Sequence, residues 1–317
     1  MTPATAWHSE VFRFYLLIIG GLLAVAGGVL GFLTVVLRKD VRPVWVTYRS
    51  WLLMVPVVLG AVWGGRAPVI LLVGLLALLG MKEFAKATGL YHDWWMTGGA
   101  YLGIGAVVLT TLLSHPRGVE SGPGWYGLFM TAPVFVIAII VLIPIALNRI
   151  HGQLQRMSLA IVGFIYIGWM FGHLGFLANT RHPYGYLLYV MFATEINDVA
   201  AFTCGKLFGR HQFRSEISPK KTWEGAVGAL LVSLALPWAL RFSFPHFTAI
   251  QLILTGLIVG IGGQLGDLSI SVIKRDLGIK DMGVTIPGHG GVLDRIDSLI
   301  YVAPLFLHLV DYCHGLR

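Results

Sequence analysis

Charge is the scarcest commodity in this sequence: of 317 residues only 12% are Asp, Glu, Lys or Arg, about half of what a soluble domain carries. With 56% hydrophobic residues and a mean hydropathy of +0.77, the chain does not read as a soluble globule. Cysteine is equally sparse. Cys204 and Cys313 lie far apart and fit no metal-type spacing, which removes zinc-ribbon and disulfide-framework classes. GxxxxGK[ST] does not occur, and the single GxGxxG match, Gly122 to Gly127, follows no strand-like run and leads into an apolar span, so ATP-driven and dinucleotide chemistry lack support. There is no low-complexity tract and no strong internal repeat. The net charge of +8 comes without an aromatic-basic recognition pattern, so no nucleic-acid partner is expected.

What the sequence has instead is a series of apolar runs, each long enough to cross a bilayer as a helix. They predict an all-α polytopic membrane protein with about ten transmembrane helices, at 14–37, 50–63, 67–81, 98–114, 125–147, 158–178, 185–204, 225–240, 248–272 and 297–311. The second and third runs are short and separated only by Gly64, Gly65 and Arg66, so they read as two crossings or as one re-entrant hairpin. Loops after odd-numbered runs hold 17 of the 23 Lys and Arg residues. By the positive-inside rule those loops are cytoplasmic and both termini are not. The first run has no small-residue cleavage site and is expected to stay attached. The chain thus divides into N-terminal transmembrane helices, 1–180, and a C-terminal region, 181–317, with cytoplasmic loops 205–224 and 273–296. Trp94, Trp95, Trp125, Tyr126, Tyr184 and Tyr186 sit at run ends and read as interfacial anchors. Gly20, Gly21, Gly27, Gly28 and Gly31 read as a close-packing face, within the chain or in a homodimer.

Nine of the 15 acidic residues fall between Glu195 and Asp297. Glu195, Asn197 and Asp198 lie inside or at the inner end of the seventh run, where a carboxylate costs roughly 2.5–3.5 kcal/mol on insertion scales, and are expected to face a polar cavity. Further on, helical spacing stacks Asp267, Ser271 and Lys274 along one face. The glycine-rich stretch with Gly278, Gly283, Pro287, Gly288, Gly290 and Gly291 is expected to form a tight loop whose amides can face a ligand. Asp294 and Asp297 then share a face at the start of the last helix. Ser218-Pro219 reads as a helix start, which would set Lys220 and Lys221 at a helix N-terminus as a phosphate site. Carboxylates without a Cys or His cluster point to Mg2+ or Mn2+, and nearby cations to phosphate oxygens. The plainer reading of the same stretch is a solvated, salt-bridged loop between two membrane helices.

The runs Asn197-Asp198-x-x-Ala201-Phe202, Gly205-x-x-Phe208-Gly209-Arg210 and Ser218-Pro219-Lys220-Lys221-Thr222-Trp223-Glu224-Gly225 precede a longer one. That one is Ser271-x-x-Lys274-Arg275, Lys280-Asp281 and Pro287-Gly288-His289-Gly290-Gly291-x-x-Asp294-Arg295-x-Asp297. Together they resemble the CTP:phosphatidate cytidylyltransferases, over about a hundred residues. Phe202 departs from the tyrosine usual there, and Glu195 from an apolar residue.

The resemblance implies transfer of CMP from CTP to phosphatidate, giving CDP-diacylglycerol and pyrophosphate, at the cytoplasmic face of a bacterial inner membrane. It implies Asp198, Asp267, Asp294 and Asp297 as ligands of one or two Mg2+ ions. Lys220, Lys221, Lys274, Arg275, Lys280, Arg295 and His289 would serve the phosphates catalytically, with Ser218, Ser271, Gly288, Gly290, Gly291 and Lys206 binding substrate. His289 reads equally as a loop-shaping residue, and His115, His151, His173 and His182 as scattered structural or interfacial residues. The alternatives are a cytidylyltransferase or kinase acting on a polyprenyl or ether lipid and, from another class, a transporter, which would be expected to show interrupted helices in two related halves.

Overall fold

The computed structural model describes residues 1–114, 124–286 and 290–315. A short α1 (Pro3–His8) leads into α2 (Glu10–Val35), α3 (Arg42–Gly64), α4 (Arg66–Ala87), α5 (Trp94–Leu113) and α6 (Gly124–Ala146). The next crossing is composite: α7 (Gln153–Gly163), a π-helical stretch (Phe164–Met170) and α8 (Phe171–Phe176). Then come α9 (Pro183–Phe208), a hairpin of β1 (Gln212–Arg214) and β2 (Ser218–Thr222), α10 (Trp223–Ala239), α11 (Ala249–Asp276) and α12 (Leu293–His314). Among the described residues nine helical spans are long and apolar enough to cross a membrane, and α10, at 17 residues, is a shorter apolar helix. The protein is an all-α polytopic membrane protein.

Helices run past the apolar runs because hydrogen bonding does not stop where hydropathy does. α3 begins at Arg42, eight residues before its apolar run, and α3 and α4 have 23 and 22 residues. They are two full-length helices, not a re-entrant hairpin, and the chain turns between them at Gly65, whose φ of 110° suits glycine. α11 likewise carries Lys274 and Arg275 in its last turn, where cations suit the helix dipole. α12 starts at Leu293, so Asp294 lies in its first turn.

The two ends of the bundle are tied by different contacts. At one end Asp93 caps α5 and meets Arg156 at 2.9 Å and Arg149 at 3.7 Å. At the other, the Arg66 guanidinium donates to Asn179 and to the carbonyls of Thr111, Leu112 and Ser114 at the close of α5. Only 6% of the best window of α2 and 11% of that of α3 is buried, against 61% for the α7–α8 crossing, so the first two helices sit at the periphery. Of the glycines in α2, a Cβ on Gly27 would meet Tyr48, while Gly20, Gly21, Gly28 and Gly31 face no neighbour within 4 Å. Intramolecular packing therefore uses one of the five.

Tyr186 is buried, not interfacial, and its hydroxyl lies 2.7 Å from His246 Nε2. His182 stacks on His246 with ring centroids 4.2 Å apart, and His314 meets His246 at 4.8 Å. These side chains line a cavity of about 220 Å³ at the start of α9 and the end of α12. His182 is thus part of a cluster of imidazoles instead of a scattered residue. His115 lies outside the described residues.

Candidate active site

The acidic residues gather at the end of the bundle where α9 and α11 finish and α12 begins. α11 approaches α12 through Gly266: a Cβ there would lie 2.8 Å from Ser298 Cα and still closer to the Asp297 carbonyl. That close packing sets Asp267 beside the first turns of α12. Ser298 joins the third helix, its hydroxyl donating to Asp198 Oδ2 at 3.3 Å, while its amide donates to Asp297 Oδ1 at 2.7 Å. Asp198, Asp267 and Asp297 therefore lie within electrostatic range of one another, and Arg295 and Lys221 act on the same field. Asp297 is buried, Asp267 half-buried and Asp198 exposed.

The shared helical face expected for Asp267, Ser271 and Lys274 is present. Ser271 Oγ donates to Asp267 Oδ1 at 3.3 Å, and Lys221 reaches the other oxygen at 2.5 Å. Lys274 crosses to Asp294 Oδ1 at 2.9 Å. The amides of Met282 and Gly291 donate to Asp294 Oδ2 at 2.9 and 3.0 Å. Asp294 is thus taken up by three protein donors and anchors the loop before α12; to hold a metal ion it would have to give them up. The donor set Asp198, Asp267 and Asp297 has the hard-oxygen chemistry Mg2+ prefers. Among the described residues, however, no three Asp, Glu, His or Cys side chains stand in an arrangement able to hold an ion. Lys221 would have to leave Asp267 first.

Two sequence expectations are corrected here. Ser218 and Pro219 do not start a helix: with Lys220 and Lys221 they form β2, antiparallel to β1, and α10 starts after Thr222, whose side chain accepts from the Gly225 amide. Pro219, which has no N–H to donate, fits a two-stranded edge, and Thr222 supplies the cap that Ser218 was expected to give. Second, the amide of Gly291 is not free for a ligand, since it is bonded to Asp294. Gly290, at φ +81°, turns the loop so that its carbonyl accepts from the Ile286 amide at 2.8 Å. Gly288 and His289 lie outside the described residues.

The remaining cations divide by environment. Lys220, Lys280 and Arg295 are exposed. Arg275 donates to the carbonyls of Ile217 and Ile279, tying the β1–β2 turn to the end of α11. Lys206 lies over the ring of Phe202, 6.0 Å from its centroid. Asn197 is buried in the α9–α10 contact, where its side-chain oxygen accepts from Ser233 at 3.0 Å. Glu224 pairs with the His211 ring at 2.7 Å.

Sequence reasoning missed Glu83, at the end of α4. Its buried carboxylate accepts from Thr285 Oγ1 at 2.5 Å and from the amides of Val292 and Leu293 at 3.0 and 2.9 Å. The only signal was a carboxylate at the edge of an apolar run, set between Lys82 and Lys86, which reads as a surface ion pair.

Comparison with known proteins adds three findings. A family model described as "Cytidylyltransferase family" matches residues 45–313. A protein of Escherichia coli (strain K12) named "Uncharacterized protein YnbB" is 31% identical over 271 residues, 84% of this chain and 86% of that protein. A "Phosphatidate cytidylyltransferase" of Staphylococcus aureus (strain COL) is 31% identical over 243 residues, covering 76% of this chain and 89% of its own length.

Proposed function

The chain belongs to the cytidylyltransferase family and is a nucleotidyltransferase, and we propose that it transfers CMP from CTP to phosphatidate, giving CDP-diacylglycerol and pyrophosphate. The observation that carries this reading is the meeting of Asp198, Asp267 and Asp297 from three membrane helices, with Lys221 resting on one of them. Such a group suits polyanions brought to a bilayer surface. The excess of Lys and Arg at this end of the bundle supports a cytoplasmic orientation for it, and the membrane proposed is a bacterial inner membrane.

In the proposed reaction an oxygen of the lipid phosphate bonds to the α-phosphorus of CTP, the bond to the β-phosphate breaks, and pyrophosphate leaves with the electron pair. A phosphate monoester is already ionised near neutral pH, with a second pKa of about 6, so no general base is needed. The task left to the protein is to bring two anions together. Lys220, Lys280 and Arg295, all exposed, bind phosphate oxygens, and Lys221 joins them on leaving Asp267. Ser271 keeps Asp267 oriented. Mg2+ held by Asp198, Asp267 and Asp297 would supply the positive charge that offsets nucleophile and leaving group. Lys274 and Asp294 hold the loop.

The test is pyrophosphate release by the purified full chain with phosphatidate and each of the four nucleoside triphosphates. Release with CTP that stops in EDTA and returns with Mg2+ is expected. Release independent of phosphatidate or of metal would defeat the reading, and product formed only from polyprenyl or ether lipid phosphates would change the acceptor.

A further inference from the structure

We propose that Glu83 is a positioning residue for this transfer: from α4 its carboxylate grips both arms of the loop that precedes α12, and so fixes where Asp294 and Arg295 stand. The inference rests on the reading of the site given above, but its structural core can be tested separately.

The grip is two-sided. On the early arm Glu83 Oε1 takes the Thr285 hydroxyl, and on the late arm Oε1 and Oε2 take the amides of Val292 and Leu293. Two glycines make room for it. A Cβ on Gly283 would lie 2.6 Å from Oε1, and one on Gly291 would lie 2.5 Å from Oε2. The first amides of a helix have no partner within it. At α12 the amides of Gly291, Val292 and Leu293 are shared between Asp294 and Glu83. The negative charge also sits at the favourable end of the helix dipole.

A buried carboxylate is a poor way to gain stability alone, since apolar packing of similar volume does as well or better. What it supplies is direction: two oxygens that accept from three donors at set angles leave one arrangement of the loop. Arg295 follows Leu293 by two residues, and Lys280 precedes Met282 by two. These two of the cations assigned to phosphate therefore hang from a loop whose shape is set by a side chain about 200 residues earlier. Among the described residues placed in the site every other one lies beyond Glu195, and Glu83 brings the first third of the chain to it.

The experiment uses the full chain in detergent. Glu83→Gln keeps the volume but turns an amide NH2 toward a backbone N–H, Glu83→Ala removes the grip, and Thr285→Val removes one donor. Turnover per folded molecule should fall roughly tenfold in Glu83→Gln and about a hundredfold in Glu83→Ala, as expected for charge-assisted hydrogen bonds lost from an aligned site. Thr285→Val should lose only a few-fold. Amide hydrogen exchange at Val292 and Leu293 should quicken in both Glu83 variants, while exchange in α9 stays as in the wild type. Met81→Ala, which opens a cavity two residues away on another face of the same helix, controls for stability: it should lower the melting temperature without changing turnover of the folded fraction. If Glu83→Gln turns over at the wild-type rate, or if the loop amides exchange no faster, the proposal is overturned. If the wild type itself releases no pyrophosphate from CTP and phosphatidate, the functional reading falls instead, and the exchange result alone decides whether Glu83 holds the loop.

Discussion

Removing the Asp294 side chain should give a different result from removing its neighbour Asp297, although the two lie three residues apart on one helix. Asp294 accepts from Lys274 and from two loop amides, with its side chain 4% and that of Lys274 10% exposed. In Asp294→Ala the ammonium is left buried without its partner, a loss of about 3–5 kcal/mol. Each orphaned amide would add about 1–3 kcal/mol in isolation, but the three donors share one carboxylate and their losses do not sum. Taking about 4 kcal/mol and roughly 2–4 °C per kcal/mol, Asp294→Ala should melt about 10 °C below the wild type and lose turnover as the loop loosens. Asp297→Asn keeps an oxygen for the Ser298 amide and should melt within about 2 °C of the wild type, yet turn over nothing because the carboxylate group facing Asp198 and Asp267 has lost a charge. Thermal unfolding in detergent and pyrophosphate release, measured on the same preparations, separate the two. The double variant Lys274→Met, Asp294→Leu should be less destabilised than either single change, since it leaves no unpaired charge. An Asp294→Ala protein that melts like the wild type, and whose turnover is restored by raising Mg2+, would refute the reasoning and return Asp294 to metal binding.

Gly266→Ala should separate α11 from α12 at Asp297, because the new methyl would press on backbone that cannot swing aside; turnover should be lost with a lowered melting temperature, and an active, stable variant would contradict the packing described. At the other end of the bundle, burial first and then the neighbouring imidazoles of His182 and His314 hold His246 at about 4, below its ordinary 6.5. A histidine depressed in the folded state binds protons more readily when unfolded, so stability should be full above about 6.5 and decline as pH falls toward about 4. Melting curves from pH 7.5 to 4.5 check this: His246→Gln should flatten the acid limb, and an unchanged wild-type melt at pH 5 would count against it.

The crossings were legible because length and hydropathy fix them, and the composite α7–α8 span was found as one run. The shared face of Asp267, Ser271 and Lys274 was legible for the same local reason, since helical spacing needs no tertiary information. Helix ends were less so: a polar first turn hid the true start of α3, and Thr222, not Ser218, capped α10, although the start of α12 was read within a residue at Asp294. Direction was the harder matter. Spacing put Asp294 and Asp297 on one face, but only packing shows that Asp297 lies toward Asp198 and Asp267 while Asp294 is taken up by Lys274 and the amides of its own loop. Glu83 was invisible for a related reason, as its partners Thr285, Val292 and Leu293 give no local pattern that points to them.

The hold of α4 on the entrance to α12 bears on how this protein can be taken apart. A fragment beginning at residue 181 would contain every aspartate and lysine named in the chemistry, and would look complete by inspection of its motifs. It would nonetheless arrive with two main-chain donors facing an empty socket, so chimeras joining the front of one relative to the back of another should work only when the front supplies the acidic side chain and the back supplies the two glycines that face it.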